Sequence, residues 1–521
     1  MKKFLSLLLV LTMLLSFAAC GDGDSSDSSS VDESVEASST DASEDASAGD
    51  ESSSEPVVDN KEKFDEDGKY IPLNYETVVL EKVTQFCFRD PGLLIGEDGK
   101  LRPKEEVEEV ADTMMKNIKA DGCNTVLMQM RPNGDSFYES EFFPLSNFVT
   151  GDFAVQELEY DIVEIFISAA HRYELSFQAW FNPMRNMARS AIEAIPENEH
   201  FVIQDWAAGF DDPESPYYQY VFEEVDGRGD LRFYLNIGEQ DTRDLIVNGV
   251  REIIQKYNVD GVFMDDYFYP SGVASNFDID SVAVAEAGVR LIPKWRRENV
   301  NKLVKAIYSM VKEEDERLIY GISPNGNISY AYETECADIY TWCSKEGYVD
   351  VMYPQFYYGM QHMQTAIDDL TKLWEETITL DSVKLVPVLS LHKSGGIDQW
   401  AMSPLANREW IDYTDVILQS LTYLLTTDDA KLDGIGIYCY DYLHGTMYDD
   451  ATRGANIKKE IENYNILWMN FEALLKAEDD TAIRAAFTEA GLDYDAKLRE
   501  WDDNIFSVRT ERVFFPEEVI K

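Results

Sequence analysis

The sequence has few of the residues that build metal sites or disulfide frameworks. Its 521 residues include six cysteines and five histidines, and no two cysteines have CxxC spacing. Zinc sites that are recognisable from sequence combine such pairs with each other or with histidines, so no metal site and no cofactor is predicted. The cysteines that follow Cys20 are odd in number and widely spaced, which does not favour a disulfide framework. We expect most of them to be small buried apolar residues.

Basic residues are scarce relative to acidic ones. The chain has 45 Lys and Arg against 98 Asp and Glu, a formal net charge of −53. Phosphates and anionic lipid headgroups would be repelled by this charge. Binding to nucleic acid and direct adsorption to an anionic membrane are therefore not expected. The sequence does not indicate an oligomeric state.

Long apolar runs are missing everywhere except at the N-terminus. Two lysines precede the apolar run Phe4–Phe17, which is short for a transmembrane helix and typical of an export signal. The run closes on Ala18–Cys20, which resembles the lipobox of bacterial lipoproteins, while a cleaved and freely secreted protein is the alternative. We expect residues 1–20 to be a signal peptide and Cys20 to be lipidated. The protein would then be held on the outer side of a bacterial membrane by that lipid alone.

Residues 21–67 contain almost no apolar side chains. They carry 17 acidic residues against two lysines, within a background of Ser and Ala. Such a segment cannot bury enough apolar surface to fold, and its like charges repel one another. We predict a disordered acidic linker that holds the folded part away from the membrane.

From about residue 78 apolar strands alternate with amphipathic helices. The predicted strands are Val83–Phe88, Thr125–Met130, Leu175–Phe181, Gly261–Tyr267, Leu318–Ile322, Val349–Tyr357, Leu385–Leu391 and Gly434–Tyr440. The predicted helices include Glu105–Ala120, Tyr160–Tyr173, Arg243–Tyr257, Trp295–Lys312, Met363–Glu376, Asp415–Leu425 and Thr452–Phe471. Eight strand–helix units predict an α/β fold, a (β/α)8 TIM barrel over residues 68–470, with a short helical C-terminal extension over 471–521. The periodicity also allows an open doubly wound sheet.

Several helix-to-strand joins pair an acid or amide with a glycine. Gly122, Gly261 and Gly434 each occupy such a join, and a glycine there can stop a helix in the left-handed conformation. Asp260 and Asp433 are accordingly expected to be structural rather than catalytic.

Two adjacent acids, Asp265 and Asp266, end the fourth predicted strand within Val259–Pro270, VDGVFMDDYFYP. The C-terminal ends of barrel strands form the active-site face, so acids there indicate catalysis. Either acid could instead cap a helix or fix a loop. Because neighbours on a strand point to opposite faces, only one of the two should reach a substrate. Asp265 is the first choice, and the reverse assignment stays open.

Stretches at the predicted strand ends together resemble a known family. They are Gln129–Asp135, Ala179–Arg185, Asp260–Pro270, Trp295–Asn301, Gly321–Gly326 and Asp350–Tyr357. In order and spacing they resemble glycosyl-hydrolase-like family 10, bacterial exported proteins with a TIM-barrel glycosidase fold. Thr84–Arg89 departs from the family by lacking its Arg-Gly-Val-Trp opening, and Leu235–Gly238 replaces its Asn-Pro-Gly turn. The resemblance implies a glycoside hydrolase that acts on polysaccharide, with cell-wall glycan as the expected class, and it places Asp265 at the position of a nucleophile.

Glycoside hydrolysis needs a second carboxyl group. The fifth strand ends on Ser323 and Asn325 without a glutamate, so the candidates are Asp135 after the second strand and Asp441 after the eighth. Either could be a loop-fixing residue. Polar and aromatic side chains at strand ends can bind hydroxyl and N-acetyl groups. These candidates are Arg131, Asn133, Asn182, Arg185, Tyr267, Tyr353, Gln355, Tyr357 and His392, and the two arginines could also pair with Asp265 or Asp266.

Two other functions share parts of this pattern. A carbohydrate-binding barrel without hydrolysis would explain the absence of an obvious second acid. The solute-binding lipoprotein of a transporter would share the anchor and the linker. A carboxyl group close to Asp265 across an open cleft would favour the hydrolase, and a single closed barrel would exclude a two-lobed solute-binding protein.

Overall fold

The computed structural model describes residues 80–509, apart from 88–89, 226–228, 230, 266–267, 271–277, 428–430 and 446–450. The predicted signal peptide with Cys20, the predicted linker and the candidates Asp266 and Tyr267 lie outside these described residues. Among the residues that are described, no helix has the length and apolar character needed to cross a membrane.

Ten short parallel strands form the central sheet of the described chain. They are β1 (Glu81–Phe86), β2 (Thr125–Arg131), β3 (Ser176–Phe181), β6 (Gly261–Asp265), β7 (Ile319–Ser323), β8 (Val351–Met352), β9 (Gln355–Phe356), β10 (Lys384–Leu385), β11 (Val388–Ser390) and β12 (Gly434–Tyr438). An antiparallel hairpin of β4 (Val221–Val225) and β5 (Leu231–Leu235) lies in the long segment between β3 and β6.

The sheet closes on itself, and two of its barrel strands are each interrupted at a proline, which has no N–H to give to a ladder. Pro354 separates β8 from β9, and Pro387 separates β10 from β11. β8 and β9 are two halves of one barrel strand, and β10 and β11 are two halves of the next. The halves pair in order, β8 with β10 and β9 with β11. β1 pairs with both β2 and β12, which completes a ring of eight. The predicted TIM barrel is confirmed, and both the open sheet and the two-lobed solute-binding protein are excluded.

Helices follow the strands and pack around the sheet. In chain order they are α1 (Lys104–Ala120), α2 (Asn147–Thr150), α3 (Ile162–Arg172), α4 (Arg189–Ala194), α5 (Val202–Gly209), α6 (Gln240–Lys256), α7 (Val282–Glu286), α8 (Ile292–Glu314), α9 (Ile328–Glu333), α10 (Ile339–Trp342), α11 (Ile367–Thr377), α12 (Glu409–Asp412), α13 (Val416–Thr426), α14 (Tyr440–Leu443), α15 (Ala451–Trp468), α16 (Phe471–Leu475), α17 (Thr481–Glu489) and α18 (Tyr494–Arg509). The long ones coincide with the predicted helices to within a few residues. α17 and α18 confirm a helical C-terminal extension.

The barrel interior is filled by alternate residues of the strands. The ring of Phe263 lies 5.6 Å from that of Trp180 and 5.5 Å from that of Tyr353. The Tyr353 hydroxyl donates to Glu81 Oε2 at 2.9 Å, deep inside the barrel. A Cβ on Gly321 would overlap the Tyr353 ring, so glycine is required there. Because Phe263 points inward, Asp265 two residues later points into the C-terminal mouth of the barrel.

The glycine-containing joins differ from one another. Gly122 has a φ of 78° and stops its helix in the left-handed conformation, as expected. Gly261 and Gly434 are instead the first residues of β6 and β12, where a Cβ would overlap a backbone oxygen of the next strand. The left-handed prediction is therefore wrong at these two positions. Asp260 and Asp433 are structural, as predicted, since they accept backbone N–H groups of neighbouring segments at 2.6 Å and 3.0 Å.

Candidate active site

Asp265 ends β6 and is held by side-chain amides at the mouth of the barrel. It is 8% exposed. Its Oδ1 accepts a hydrogen bond from Gln355 Nε2 at 3.1 Å, and Asn182 Nδ2 donates to its Oδ2 at 3.5 Å. Asn182 is itself fixed by Gln129, whose Nε2 donates to Asn182 Oδ1 at 2.8 Å. Since amide nitrogens only donate, this arrangement suits an ionised carboxylate.

The order of strands around the barrel explains why these residues meet. β2, β3, β6 and β7 are successive neighbours, and Asp265 pairs with Ser323 of β7. Gln355 of β9 reaches across, and its Nε2 lies 3.5 Å from Ser323 Oγ. The predicted candidates Asn182 and Gln355 therefore both contact the candidate Asp265 at the C-terminal ends of their strands.

A second carboxyl group near Asp265 belongs to Glu335, which the strand-end pattern did not predict. Glu335 follows α9 in the loop beyond β7 and is 3% exposed. Its backbone oxygen accepts from Tyr269 N at 3.0 Å, which ties this loop to the segment after β6. Its Oε2 is buried and has no hydrogen-bond partner among the described residues.

The two carboxyl groups differ in their environments. Burial, and secondly the negative charge of Asp265, raise the pKa of Glu335 from its ordinary 4.5 to about 8. Glu335 therefore carries its proton at neutral pH, whereas Asp265 accepts hydrogen bonds on both oxygens. A pair of carboxyl groups whose environments differ in this way can divide the roles of acid and of nucleophile or base.

Glu335 escaped prediction because only residues directly after each strand were considered. It lies beyond a short helix, next to Cys336, whose φ of 57° turns the chain back at this point. The signal that was available was Glu335 itself, which lies with Glu333 in the segment after the fifth strand of the predicted barrel. Distance from the strand end along the sequence made it look unremarkable among the other acids of the chain.

Asp135 lies in the loop after β2 and fixes that loop. It is 1% exposed, and its Oδ1 accepts from Asn133 N at 2.8 Å. Burial raises its pKa, while hydrogen bonds from Ser146 and the local backbone and the charge of Arg185 act in the opposite direction. These contacts match the loop-fixing alternative for Asp135.

Asp441 lies elsewhere, in the first turn of α14 after the eighth barrel strand. It is 5% exposed, and its Oδ2 is 3.6 Å from Cys439 Sγ. Its described neighbours include Cys439, which follows β12, and Cys87, which follows β1. The structure does not group Asp441 with the amides around Asp265.

Arg131 points to the outside of the barrel. β2 has a register shift between Gln129 and Arg131, and such a bulge re-aims the side chains that follow it. The guanidinium lies 4.4 Å from the ring of Phe143 and 5.3 Å from that of Phe181. Burial lowers the pKa of Arg131 to about 10. The structure does not bring Arg131 to Asp265.

The described contacts of Asn133 and Arg185 connect loops. Asn133 Oδ1 accepts from Arg232 Nη1 of the hairpin at 3.0 Å. Arg185 Nε donates to the backbone oxygen of Pro132 at 3.2 Å. Together with Asp135 they hold the loops after β2 and β3 against the β4–β5 hairpin.

The remaining aromatic candidates lie at two different depths in the barrel. Tyr353 belongs to the interior, where it contacts Glu81. Tyr357 is 7% exposed and His392 is 9% exposed, and their rings are 5.0 Å apart. Both also pack on Tyr438 of β12. Tyr357 and His392 therefore form one aromatic group at the ends of the last barrel strands.

A closed (β/α)8 barrel with an amide-held aspartate at the C-terminal end of a strand has the architecture of a glycosidase-like protein. The family model Glycosyl hydrolase-like 10 matches residues 88–396, which is more than half of the chain. The chain belongs to this family, and the predicted resemblance is confirmed.

Curated relatives carry the same type of name. Over 303 residues the chain is 30% identical to the glycosyl hydrolase YngK of Bacillus subtilis. The alignment covers 53% of this chain and 54% of YngK. Over 290 residues it is 28% identical to the glycosyl hydrolase DigH of Escherichia coli K12, covering 53% of this chain and 63% of DigH. The chain thus matches between half and two thirds of the length of these relatives.

Among solved structures, the glycoside hydrolase domain of PgaB (BpsB) from Bordetella bronchiseptica aligns with a TM-score of 0.42 and 11% identity. The alignment covers 70% of this chain and 96% of that domain. An α-L-fucosidase from Paenibacillus thiaminolyticus aligns with a TM-score of 0.41, covering 74% of this chain and 49% of that chain at 11% identity.

Proposed function

We propose that this protein is a glycoside hydrolase in which Asp265 and Glu335 are the catalytic carboxyl groups. The observation that carries the proposal is the buried carboxyl group of Glu335, whose pKa is raised by burial and by the charge of the amide-held Asp265. Glycosidases need one carboxyl group as acid and another as nucleophile or base. Asp265 keeps the role predicted for it, and Glu335 replaces Asp135 and Asp441 as the partner acid.

The chemistry follows from the protonation states. Glu335 donates its proton to the glycosidic oxygen while the bond to the anomeric carbon breaks. Asp265 either attacks that carbon or removes a proton from the attacking water, and the separation of the two carboxyl groups in the substrate complex selects between these routes. In a two-step route Glu335, now ionised, accepts a proton from the second-step water and returns to its initial state. Gln355 and Asn182 hold Asp265 in place for either route.

We further propose cell-wall glycan as the substrate class and the outer surface of a bacterial membrane as the location. The N-terminal pattern ending at Cys20 supports export and lipid attachment, and the family relatives support a polysaccharide substrate. Labelling cells with an alkyne fatty acid tests the anchor. The wild-type protein should incorporate the label, and a Cys20→Ala variant should not.

The activity test uses the full-length protein with intact and peptide-stripped peptidoglycan and a panel of bacterial and plant glycans. Products are identified by mass spectrometry. We expect cleavage by the wild type, none by Asp265→Asn, and cleavage slowed by at least about 100-fold in Glu335→Gln. Glu460→Gln is a matched control, because Glu460 is also buried and its pKa is also raised to about 8. Glu460 lies on α15, where its Oε1 accepts a hydrogen bond from Ile417 N at 2.6 Å.

The outcomes separate hydrolysis from binding. Glycan binding without any product, retained in both site variants, would show a carbohydrate-binding barrel. Cleavage of a glycan other than peptidoglycan would keep the hydrolase and replace only the proposed substrate. Loss of activity in Glu460→Gln as well would assign the effect of these substitutions to folding.

A further inference from the structure

Two buried cysteines and an aspartate form a cluster away from the amide-held carboxylate. Cys87 follows β1, and Cys439 and Asp441 follow β12. One ligand atom from each side chain lies within 4.8 Å of the other two. Their exposed fractions are 3%, 0% and 5%.

Barrel closure creates this cluster from opposite ends of the chain. β1 and β12 are the first and last barrel strands and pair in parallel, with Thr84 opposite Ile437. Their C-terminal ends therefore lie side by side, and the residues that follow them meet. No local spacing in the sequence connects Cys87 to Cys439, which is why the sequence predicted no metal site.

We propose that Cys87, Cys439 and Asp441 bind a zinc-class divalent ion. Thiolate sulfur selects zinc over the hard cations calcium and magnesium, which prefer oxygen ligands. Zinc binds thiolates at about 2.3 Å in tetrahedral geometry, so two thiolates on one ion are roughly 3.8 Å apart. Because the ligand atoms lie within 4.8 Å of one another, the two sulfurs need to approach by at most about 1 Å to reach that spacing. This proposal does not depend on the proposed glycosidase activity.

The two cysteine thiols lose their protons when they bind the ion. The two thiols form two metal–sulfur bonds and release up to two protons to solvent, while the aspartate contributes one carboxylate oxygen. Three anionic ligands meet two positive charges, and one tetrahedral position is left for water or another small ligand. Zinc sites with three protein ligands commonly keep such an open position.

A cavity borders the cluster on the side of Asp441. Asp441, with Phe86, Tyr440 and His444, lines a cavity of about 540 Å³ that also reaches α1. The Tyr438 hydroxyl lies 3.6 Å from Cys87 Sγ and gives this sulfur a polar neighbour. An ion bound here would connect the first and last strands of the barrel. It should therefore stabilise barrel closure as well as occupy the site.

The test measures metal binding by the reduced full-length protein, with no reference to catalysis. Equilibrium dialysis against zinc, with elemental analysis, should give one bound ion per chain. Replacement by cobalt should give thiolate-to-cobalt charge-transfer absorption, and the melting temperature should rise with zinc. Cys87→Ser, Cys439→Ser and Asp441→Asn should each weaken binding by more than about 100-fold, since even partners outside the ligand sphere account for 10- to 100-fold.

Cys123→Ser and Cys343→Ser are the matched controls, because both cysteines are buried and lie outside the cluster. They should bind zinc like the wild type. Absence of stoichiometric zinc in the wild-type protein, unchanged binding in Cys439→Ser, or thiols found joined as a Cys87–Cys439 disulfide would each overturn the proposal. If the cluster variants do not fold, the wild-type cobalt spectrum decides, since a spectrum without thiolate charge transfer excludes the site.

Discussion

Replacing Glu335 by glutamine removes the proton that the proposed mechanism transfers, while keeping the size of the side chain. General acid catalysis contributes typically 10²- to 10⁴-fold to rate, so Glu335→Gln should lower kcat/KM by a factor in that range. In free energy this is about 2.7 to 5.4 kcal/mol, at 1.36 kcal/mol for each factor of ten. Substrates with good leaving groups need less protonation and should lose much less.

The pH dependence is the sharper part of this prediction. With the pKa of Glu335 raised to about 8, about 90% of the chains hold the proton at pH 7, against roughly 0.3% for an ordinary glutamate. The acid must be protonated to act, so kcat/KM of the wild type should fall as pH rises through about 8. Glu335→Gln should lack this alkaline limb, and Glu460→Gln should keep it.

The assay is initial-rate hydrolysis of a soluble glycan between pH 5 and pH 10, with carbon-13 NMR of labelled glutamate as a readout independent of turnover. The NMR titration of Glu335 should move to lower pH in Asp265→Asn, because one cause of its raised pKa is the charge of Asp265. An alkaline limb that persists unchanged in Glu335→Gln, or a Glu335 titration near pH 4.5 in the wild type, would refute the assignment.

Three further substitutions test separate features. Glu460→Gln should reduce the pH dependence of the free energy of unfolding, measured with urea. A folded-state pKa of about 8 against 4.5 means that wild-type stability is lost as pH rises from 4.5 to 8, by up to about 1.4 kcal/mol per pH unit. Arg131→Met should leave kcat/KM within about 3-fold of wild type and should not lower the melting temperature, because a buried charge is replaced by an apolar side chain. Gly321→Ala should destabilise the barrel by about 1–3 kcal/mol in the same urea assay, because the added methyl group overlaps Tyr353.

The fold was predictable because its signals are local. Each barrel strand is a short apolar run between turn residues, and eight such units alternating with helices have few other solutions. The interruptions at Pro354 and Pro387 did not disturb that count. Asp265 was also predictable, since it directly follows a buried strand whose alternation can be read from the sequence.

The rest of the site depends on geometry that no local pattern contains. The bulge in β2 turns Arg131 outward although its position at a strand end matches that of a ligand. Glu335 lies beyond a helix and beside a turn at Cys336, yet the charge of Asp265 reaches it, so its distance along the sequence from β7 carries no information about its distance from Asp265. Cys87 and Cys439 meet only through closure of the ring.

The effect of Glu335→Gln on the free energy of unfolding tests whether the site is catalytic. At pH 7 the folded protein keeps a proton that the unfolded chain would release, and with pKa values of about 8 and 4.5 this costs about 3 kcal/mol. A barrel that only binds glycan has no chemical need for a carboxyl group held neutral beside a carboxylate. If the burial serves proton transfer, Glu335→Gln should raise the free energy of unfolding at pH 7 by up to about 3 kcal/mol while activity is lost. Urea unfolding at pH 5 and pH 7 measures this, with the gain expected to be much smaller at pH 5. A variant that is both less stable and inactive would instead assign Glu335 a structural role.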